Sequence, residues 1–132
     1  MKLLADTSAL LALTMTKDQY HREATEFLQQ NQKVRLVLTD LILAEVITLV
    51  RARSDAAKAA GLADLLLHSR RYEVVFVDIG LMEGALKQMT KFSDKRLSLT
   101  DCASFETMRL FGIEGAFSFD QHFLECGFEM VP

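Results

Sequence analysis

Four carboxylates stand out because of the residues around them. Asp6 closes the apolar run Lys2-Leu-Leu-Ala5, and Asp120 closes Ala116-Phe-Ser-Phe119. Glu45 and Asp101 fall inside stretches with helical spacing. In an open parallel sheet, ligands collect at the carboxyl ends of strands, near the point where strand order reverses, and a first strand usually borders that point. Asp6 therefore stands where chemistry tends to occur, although an Asp after a strand is also an ordinary helix cap. Glu45 shares its helical face with Leu41, Ile42 and Leu49, at i−4, i−3 and i+4. Burying an unpaired carboxylate there would cost several kcal/mol, so a cation or a shifted pKa must compensate. That cation is either a site metal or an arginine such as Arg35 or Arg51. Asp101 has Phe105 and Met108 on its face, and Ser98-Leu-Thr-Asp101 also has the spacing of a capping box. Asp120 on its own reads as a turn or cap residue for Gln121 to Glu125. Brought together above one sheet edge, these acids would repel one another and hold their protons more tightly. A hard divalent cation, Mg²⁺ or Mn²⁺, relieves that repulsion and takes oxygen ligands.

The elements that must deliver these residues alternate. Leu3 to Ala5 reads as a buried strand, Ser8 to Met15 as a short helix, and Asp18 to Gln30 as a more polar helix with Tyr20, Ala24, Phe27 and Leu28 on its apolar stripe. Val34 to Leu38 is a second strand. Thr39 or Asp40 caps a helix over Leu41 to Val50 that is apolar on nearly every side. Ser54 caps the next, from Asp55 to about Arg70. Tyr72 to Val77 is a third strand, Asp78 to about Lys91 is helical, and Ser98 or Thr100 opens a helix that Gly112 ends after Phe111. Ala116 to Phe119 and Phe128 to Val131 are the last two strands. Near-continuous apolar strands alternating with helices predict an α/β fold with a parallel sheet of about five strands.

Composition narrows the function. The 132 residues are one domain's worth, half of them apolar, which is enough for one sizeable core. Against 18 acidic residues stand 15 basic ones, a net charge of −3, so binding to nucleic acid through overall charge is excluded and a polyanion must be met locally. Cys102 and Cys126 lack the spacing of a zinc site or a disulfide scaffold, and reduced thiols in a cytoplasmic protein are expected. Asp6 interrupts the first apolar run and no small-residue cleavage site follows, so a mature amino terminus is expected. No apolar run approaches bilayer length. There is no nucleophile-elbow sequence and no glycine-rich phosphate loop. A phosphatase of the haloacid dehalogenase type would want a second acid where Ser8 stands. A receiver-like domain would want an early acidic pair and a phosphate-facing lysine after a late strand.

Taken in order, Leu4-Ala-Asp6-Thr-Ser8, Leu43-Ala-Glu45-Val46, Leu97-Ser-Leu-Thr-Asp101 and Phe117-Ser-Phe-Asp120-Gln-His-Phe123 resemble the PIN-domain ribonuclease family, especially the toxin component of VapBC-type toxin–antitoxin pairs. The resemblance covers essentially the whole chain. It implies one PIN-like domain over residues 1–132, with a three-layer α/β/α arrangement around a parallel sheet. It also implies that Asp6, Glu45, Asp101 and Asp120 bind Mg²⁺ or Mn²⁺ directly or through water, with hydroxyls from Thr7, Ser8 and Thr100 around the ion. Asp120 is the variable member of such a set. The implied reaction is hydrolysis of RNA phosphodiester bonds by metal-activated water. A homodimer bound by an antitoxin is the implied assembly, and the apolar residues between Ala56 and Leu67 suit such pairing as well as they suit a core. Lys95 and Arg96, just ahead of Asp101, are expected to contact RNA phosphates, with solvated surface charge as the plainer alternative. His122, two residues past Asp120, is a candidate acid with a surface residue near a turn as the plainer reading, and His21 and His68 offer less. The alternative function is a PIN-like RNA- or protein-binding module without nuclease activity.

Overall fold

The computed structural model describes every residue from Met1 to Pro132. Five strands, β1 (Lys2–Ala5), β2 (Arg35–Thr39), β3 (Tyr72–Val75), β4 (Gly115–Phe117) and β5 (Glu129–Val131), pair in parallel in the order β3-β2-β1-β4-β5. Parallel neighbours cannot be joined by tight turns, so each connection carries at least one helix. Helices α1 (Thr7–Thr14) and α2 (His21–Gln30) join β1 to β2, and α3 (Asp40–Arg53) and α4 (Ala56–His68) join β2 to β3. Helices α5 (Ile79–Lys91) and α6 (Leu99–Phe111) carry the chain from β3 to β4, and the short α7 (His122–Glu125) leads into β5. The result is the parallel α/β sheet expected from the alternation, in the three-layer α/β/α arrangement that the resemblance implied.

The core explains why the central strands read as unbroken apolar runs. Leu4, Leu36, Leu38, Ala116 and Phe117 are fully buried, as are Leu10, Ile42 and Phe105 from the helices packed against them. The chain first grows from β1 outward to β2 and β3, then returns to place β4 on the other side of β1. Strand order therefore reverses between β1 and β4, and the carboxyl ends of those two strands border the switch point. Asp6 follows one and Ser118 to Asp120 follow the other.

Several boundaries differ from the sequence reading, each for a local reason. Asp55, not Ser54, caps α4, its Oδ1 accepting from the Lys58 amide at 2.7 Å. Helix α2 begins at His21 because Asp18 closes a turn instead, accepting from the Tyr20 amide at 2.8 Å. Strand β3 stops at Val75, and the Val77 amide donates to Asp40 Oδ1 at 2.9 Å. Strand β4 stops at Phe117, because the Phe119 and Asp120 amides donate to serine hydroxyls. Helix α3 differs most. It buries only the narrow stripe Ile42, Val46 and Val50, while Leu41, Leu43, Ile47 and Leu49 are half-buried and Glu45 is exposed. The expectation of a buried Glu45 is thus corrected, and no arginine pairs with it.

Helix α5 packs against α6 with Gly84 directly over the Glu106 side chain. A Cβ there would fall on the Glu106 carboxylate, which is buried and accepts two bonds from Arg109 (2.7 and 2.8 Å) and one from Gln88 Nε2 (3.1 Å). The hydrogen bond from Arg109 is the main reason the Glu106 carboxyl is held below its ordinary range. Gly84→Ala is predicted to destabilise the fold by about 1–3 kcal/mol through overpacking against this pair. Urea denaturation checks it, and an unchanged midpoint would show that α5 shifts freely.

Candidate active site

Asp6 is the residue at which strand β1 becomes helix α1. Its backbone occupies the cap position of α1, yet its side chain makes no capping bond. The carboxylate turns instead toward β4. Oδ2 accepts hydrogen bonds from Ser8 Oγ and Ser118 Oγ, each at 2.9 Å. Ser118 Oγ also accepts from the Asp120 amide at 2.9 Å, and Ser8 Oγ accepts from the Phe119 amide at 3.0 Å. Two hydroxyls thus tie the end of β1 to the turn after β4. Only 6% of Asp6 is exposed. Burial is the largest cause of its pKa, which is pushed up from 3.8 to about 6; the serine hydroxyls oppose the rise and the negative charge of Asp101 adds to it.

Asp101 reaches the same region from α6. The capping box inferred from sequence is present: Ser98 Oγ accepts from the Asp101 amide at 3.0 Å, and Asp101 Oδ2 accepts from the Ser98 amide at 3.2 Å. The box fixes the first turn of α6 and holds the carboxylate with 14% of its side chain exposed. Asp120 follows β4, its Oδ1 accepting from the His122 amide at 3.0 Å in the manner expected of a turn-forming Asp.

His122 corrects the sequence reading. It is not a bystander on the surface: its Nδ1 lies 3.3 Å from Asp120 Oδ1 and 3.5 Å from Asp101 Oδ2. Neither contact has hydrogen-bond alignment, and Nδ1 is buried without a hydrogen-bond partner. One ligating atom from each of Asp101, Asp120 and His122 lies within 4.8 Å of the other two, close enough to share one cation. Thr7 Oγ1, beside Asp6, is a second buried polar atom with no partner. Orphaned polar atoms among converging acids suit a hydrated cation, because each gains a partner when the ion and its water enter. Asp6 and Glu45 are both outside the group of three, Asp6 being tied to it through Ser118, and Thr100 is half-buried in the first turn of α6. Lys95 is held 3.2 Å from Asp94, while Arg96 is exposed and makes no ion pair. Ser118 was missed, and His122 was set aside as a surface residue. A serine flanked by phenylalanines in an otherwise apolar strand, and a histidine two residues beyond a strand-end acid, were the available signals.

The largest of the main clefts lies elsewhere. About 670 Å³ in volume, it is lined by Phe92, Phe105, Arg109 and Phe128 and touches none of the four acids. Chemistry is better sought at the switch point, where the acids meet. Acids gathered beyond the carboxyl ends of β1 and β4 in a parallel sheet of this order define the class. A profile described as PIN domain matches residues 3–129, and the chain belongs to that family.

The 23S rRNA-specific endonuclease VapC20 of Mycobacterium tuberculosis (strain ATCC 25618 / H37Rv) is 30% identical over 129 residues, with 98% of this chain and 97% of that protein covered. The crystal structure of M. tuberculosis VapC20, described as a Sarcin-Ricin loop cleaving toxin, superposes with a TM-score of 0.88 at 29% identity, covering 98% of this chain and 99% of that one. VapBC2 from Rickettsia felis, bound to a DNA fragment from its promoter, shares the fold with a TM-score of 0.75 at 10% identity, over 98% of this chain and 97% of that one. No helix is long and apolar enough to cross a membrane.

The raised pKa of Asp6 makes stability depend on pH. The folded chain keeps this proton up to about pH 6, whereas an unfolded chain releases it near 3.8, so folding takes up a proton between those values. The associated stability is full below the unfolded value and is lost as pH rises through the folded one, a loss on the order of 3 kcal/mol. The lowered carboxyl of Glu106 acts in the opposite sense on the acid side, so the difference between two proteins isolates Asp6. In chelator, Asp6→Asn is predicted to remove most of the wild-type fall in stability between about pH 4 and pH 7 and to be the more stable protein at the upper end. Denaturation midpoints across that range check it. Parallel profiles would place the effect in other groups.

Proposed function

We propose that this chain is a divalent-metal-dependent endoribonuclease and the toxin half of a toxin–antitoxin pair. The observation that carries the reading is the cluster of Asp101, Asp120 and His122 beyond β4, with the buried Asp6 tied to the same turn through Ser118 and no lysine or arginine paired to any of the three acids. The activity of VapC20, a 23S rRNA-specific endonuclease aligned over nearly the full length of both chains, supports RNA as the substrate and makes 23S rRNA the first one to test. Asp6, Asp101 and Asp120 would hold Mg²⁺ or Mn²⁺, with Glu45 reaching the ion through water from the exposed face of α3. When bound, such an ion supplies Lewis acidity toward a phosphate oxygen and makes water a better nucleophile at neutral pH.

The remaining work falls to the chain itself. Ser8 and Ser118 orient the Asp6 carboxylate, and the capping box orients that of Asp101. Thr7 Oγ1 offers an uncommitted hydroxyl, and Thr100 a second one from α6. Arg96 provides a free guanidinium for the RNA backbone, and Lys95 becomes available if it leaves Asp94. An antitoxin is the proposed partner, supported by the fold shared with VapBC2. A homodimer is proposed as well, supported by α4, on which Leu65 and Leu67 remain about half exposed.

Purified ribosomes incubated with the protein and Mg²⁺ or Mn²⁺, with primer extension along 23S rRNA, test the activity. Asp6→Asn and Asp101→Asn are each predicted to lower cleavage by about 10²-fold or more, as expected when a charge-stabilising group is removed from a transition state. A chelator should abolish it. RNA binding without cleavage in any divalent ion would favour the binding-module alternative. For assembly, Leu65→Asp combined with Leu67→Asp is predicted to yield monomer in light scattering while leaving the helical circular dichroism unchanged. A monomeric wild type would overturn the dimer.

A further inference from the structure

We infer that His122 is a direct nitrogen ligand of the ion at this site and that it biases the site toward Mn²⁺ over Mg²⁺. The inference rests on the metal-dependent reading above and goes beyond its acidic ligand set. Its ground is a mismatch between proximity and bonding. Nδ1 sits 3.3 and 3.5 Å from two carboxylate oxygens, as close as an ion pair, yet it aligns a hydrogen bond to neither and has no other partner while buried. A protonated imidazole serving as counter-ion would be expected to aim its N–H along one of those two contacts. Three potential ligand atoms within 4.8 Å of one another, with no hydrogen bond between the imidazole and either carboxylate, are instead the spacing that one shared ion requires.

The backbone fixes this geometry without the ion. Asp120 Oδ1 accepts from the His122 amide, α7 starts at His122, and Phe123 is fully buried behind it. The imidazole is therefore anchored at its own turn, and 35% of the side chain remains open to solvent. No other histidine competes for the role: His21 Nδ1 lies 2.7 Å from the Ala12 carbonyl, and His68 faces Asp64 on α4. A nitrogen ligand alters selectivity because Mg²⁺ demands oxygen donors and keeps its water, whereas first-row transition ions accept imidazole. Two carboxylates and one imidazole nitrogen form a mixed set, more favourable to Mn²⁺ than an all-oxygen set would be.

Mn²⁺ binding, followed by electron paramagnetic resonance without RNA, tests this directly. Wild-type protein with bound Mn²⁺ should show the hyperfine coupling of one directly coordinated ¹⁴N nucleus. His122→Asn should lose that coupling and bind Mn²⁺ about tenfold more weakly, with Mg²⁺, measured by competition, much less affected. His122→Asp should restore Mn²⁺ binding without the nitrogen signal and tighten Mg²⁺. Circular dichroism of both variants checks the fold. Absence of the ¹⁴N coupling in a wild type whose Mn²⁺ binding is lost in Asp101→Asn would overturn the role of His122 alone. Tighter Mn²⁺ binding by His122→Asn would do the same, marking the imidazole as a competing cation. Mn²⁺ binding that is absent, or indifferent to Asp101→Asn, would overturn the metal-site reading and this inference with it.

Discussion

A carboxylate taken out of water at the end of the central strand is the constraint around which the rest is arranged. Asp6 is nearly as buried as the leucines before it, and neither lysine nor arginine neutralises it. Its compensation comes from Ser8 and Ser118, which both bond the same oxygen. Hydroxyl dipoles lower the cost of a buried charge without cancelling it, which is why the proton stays on Asp6 to about pH 6. A stability-driven solution would place an apolar residue or an arginine partner here. Retaining a half-compensated acid makes sense only if something else completes it.

Topology turns this local problem into a shared site. Asp6 and Ser118 are 112 residues apart, yet β1 and β4 are hydrogen-bonded neighbours, so the end of one strand meets the turn that follows the other. The third contributor arrives by a different device. Asp101 is fixed by its own helix cap, and the oxygen that accepts from the Ser98 amide is also the one 3.5 Å from His122. One atom serves both the start of α6 and the site. Stabilising the helix and aiming the acid are therefore the same act, and the capping and functional readings of Asp101 are complementary.

Legibility in the sequence followed the range of the interaction. The parallel sheet of five strands and its alternation with helices were readable because alternation and apolar continuity are properties of whole segments, whereas strand order is set by long-range pairing and was not. Asp6, Asp101 and Asp120 were readable because each ends a strand or opens a helix at a recognisable place. Yet Asp40 and Asp78 occupy similar places and are spent on structure, Asp40 holding the Val77 amide and Asp78 capping α5. Only coordinates separate these from Asp6, since the difference lies in which amides happen to be near. The argument for Glu45 failed on the width of a helix face. Leucines around it suggested burial on every side, but α3 packs along the single stripe through Ile42, Val46 and Val50, and the flanking leucines are only half covered. His122 was discounted because its neighbours in space, Asp101 above all, are remote in sequence.

The distribution of cations supports the proposal of a site that recruits its positive charge. Among the ion pairs made by lysine or arginine, Lys2 faces Glu73, Arg22 faces Glu26, Lys95 faces Asp94 and Arg109 faces Glu106. Each of those acids lies outside the switch point. The fold has set none of its 15 lysines and arginines in an ion pair with Asp6, Asp101 or Asp120. Had it set one there, the site would be more stable and chemically inert, because an arginine in the pocket competes with any ion for the same oxygens. The one nitrogen admitted, that of His122, is also the one that can bind a metal instead of displacing it. Stability has been withheld at this edge of the sheet and supplied elsewhere, in the bidentate pair beneath Gly84 and in the aromatic packing of Phe105 against Phe123 and Phe128.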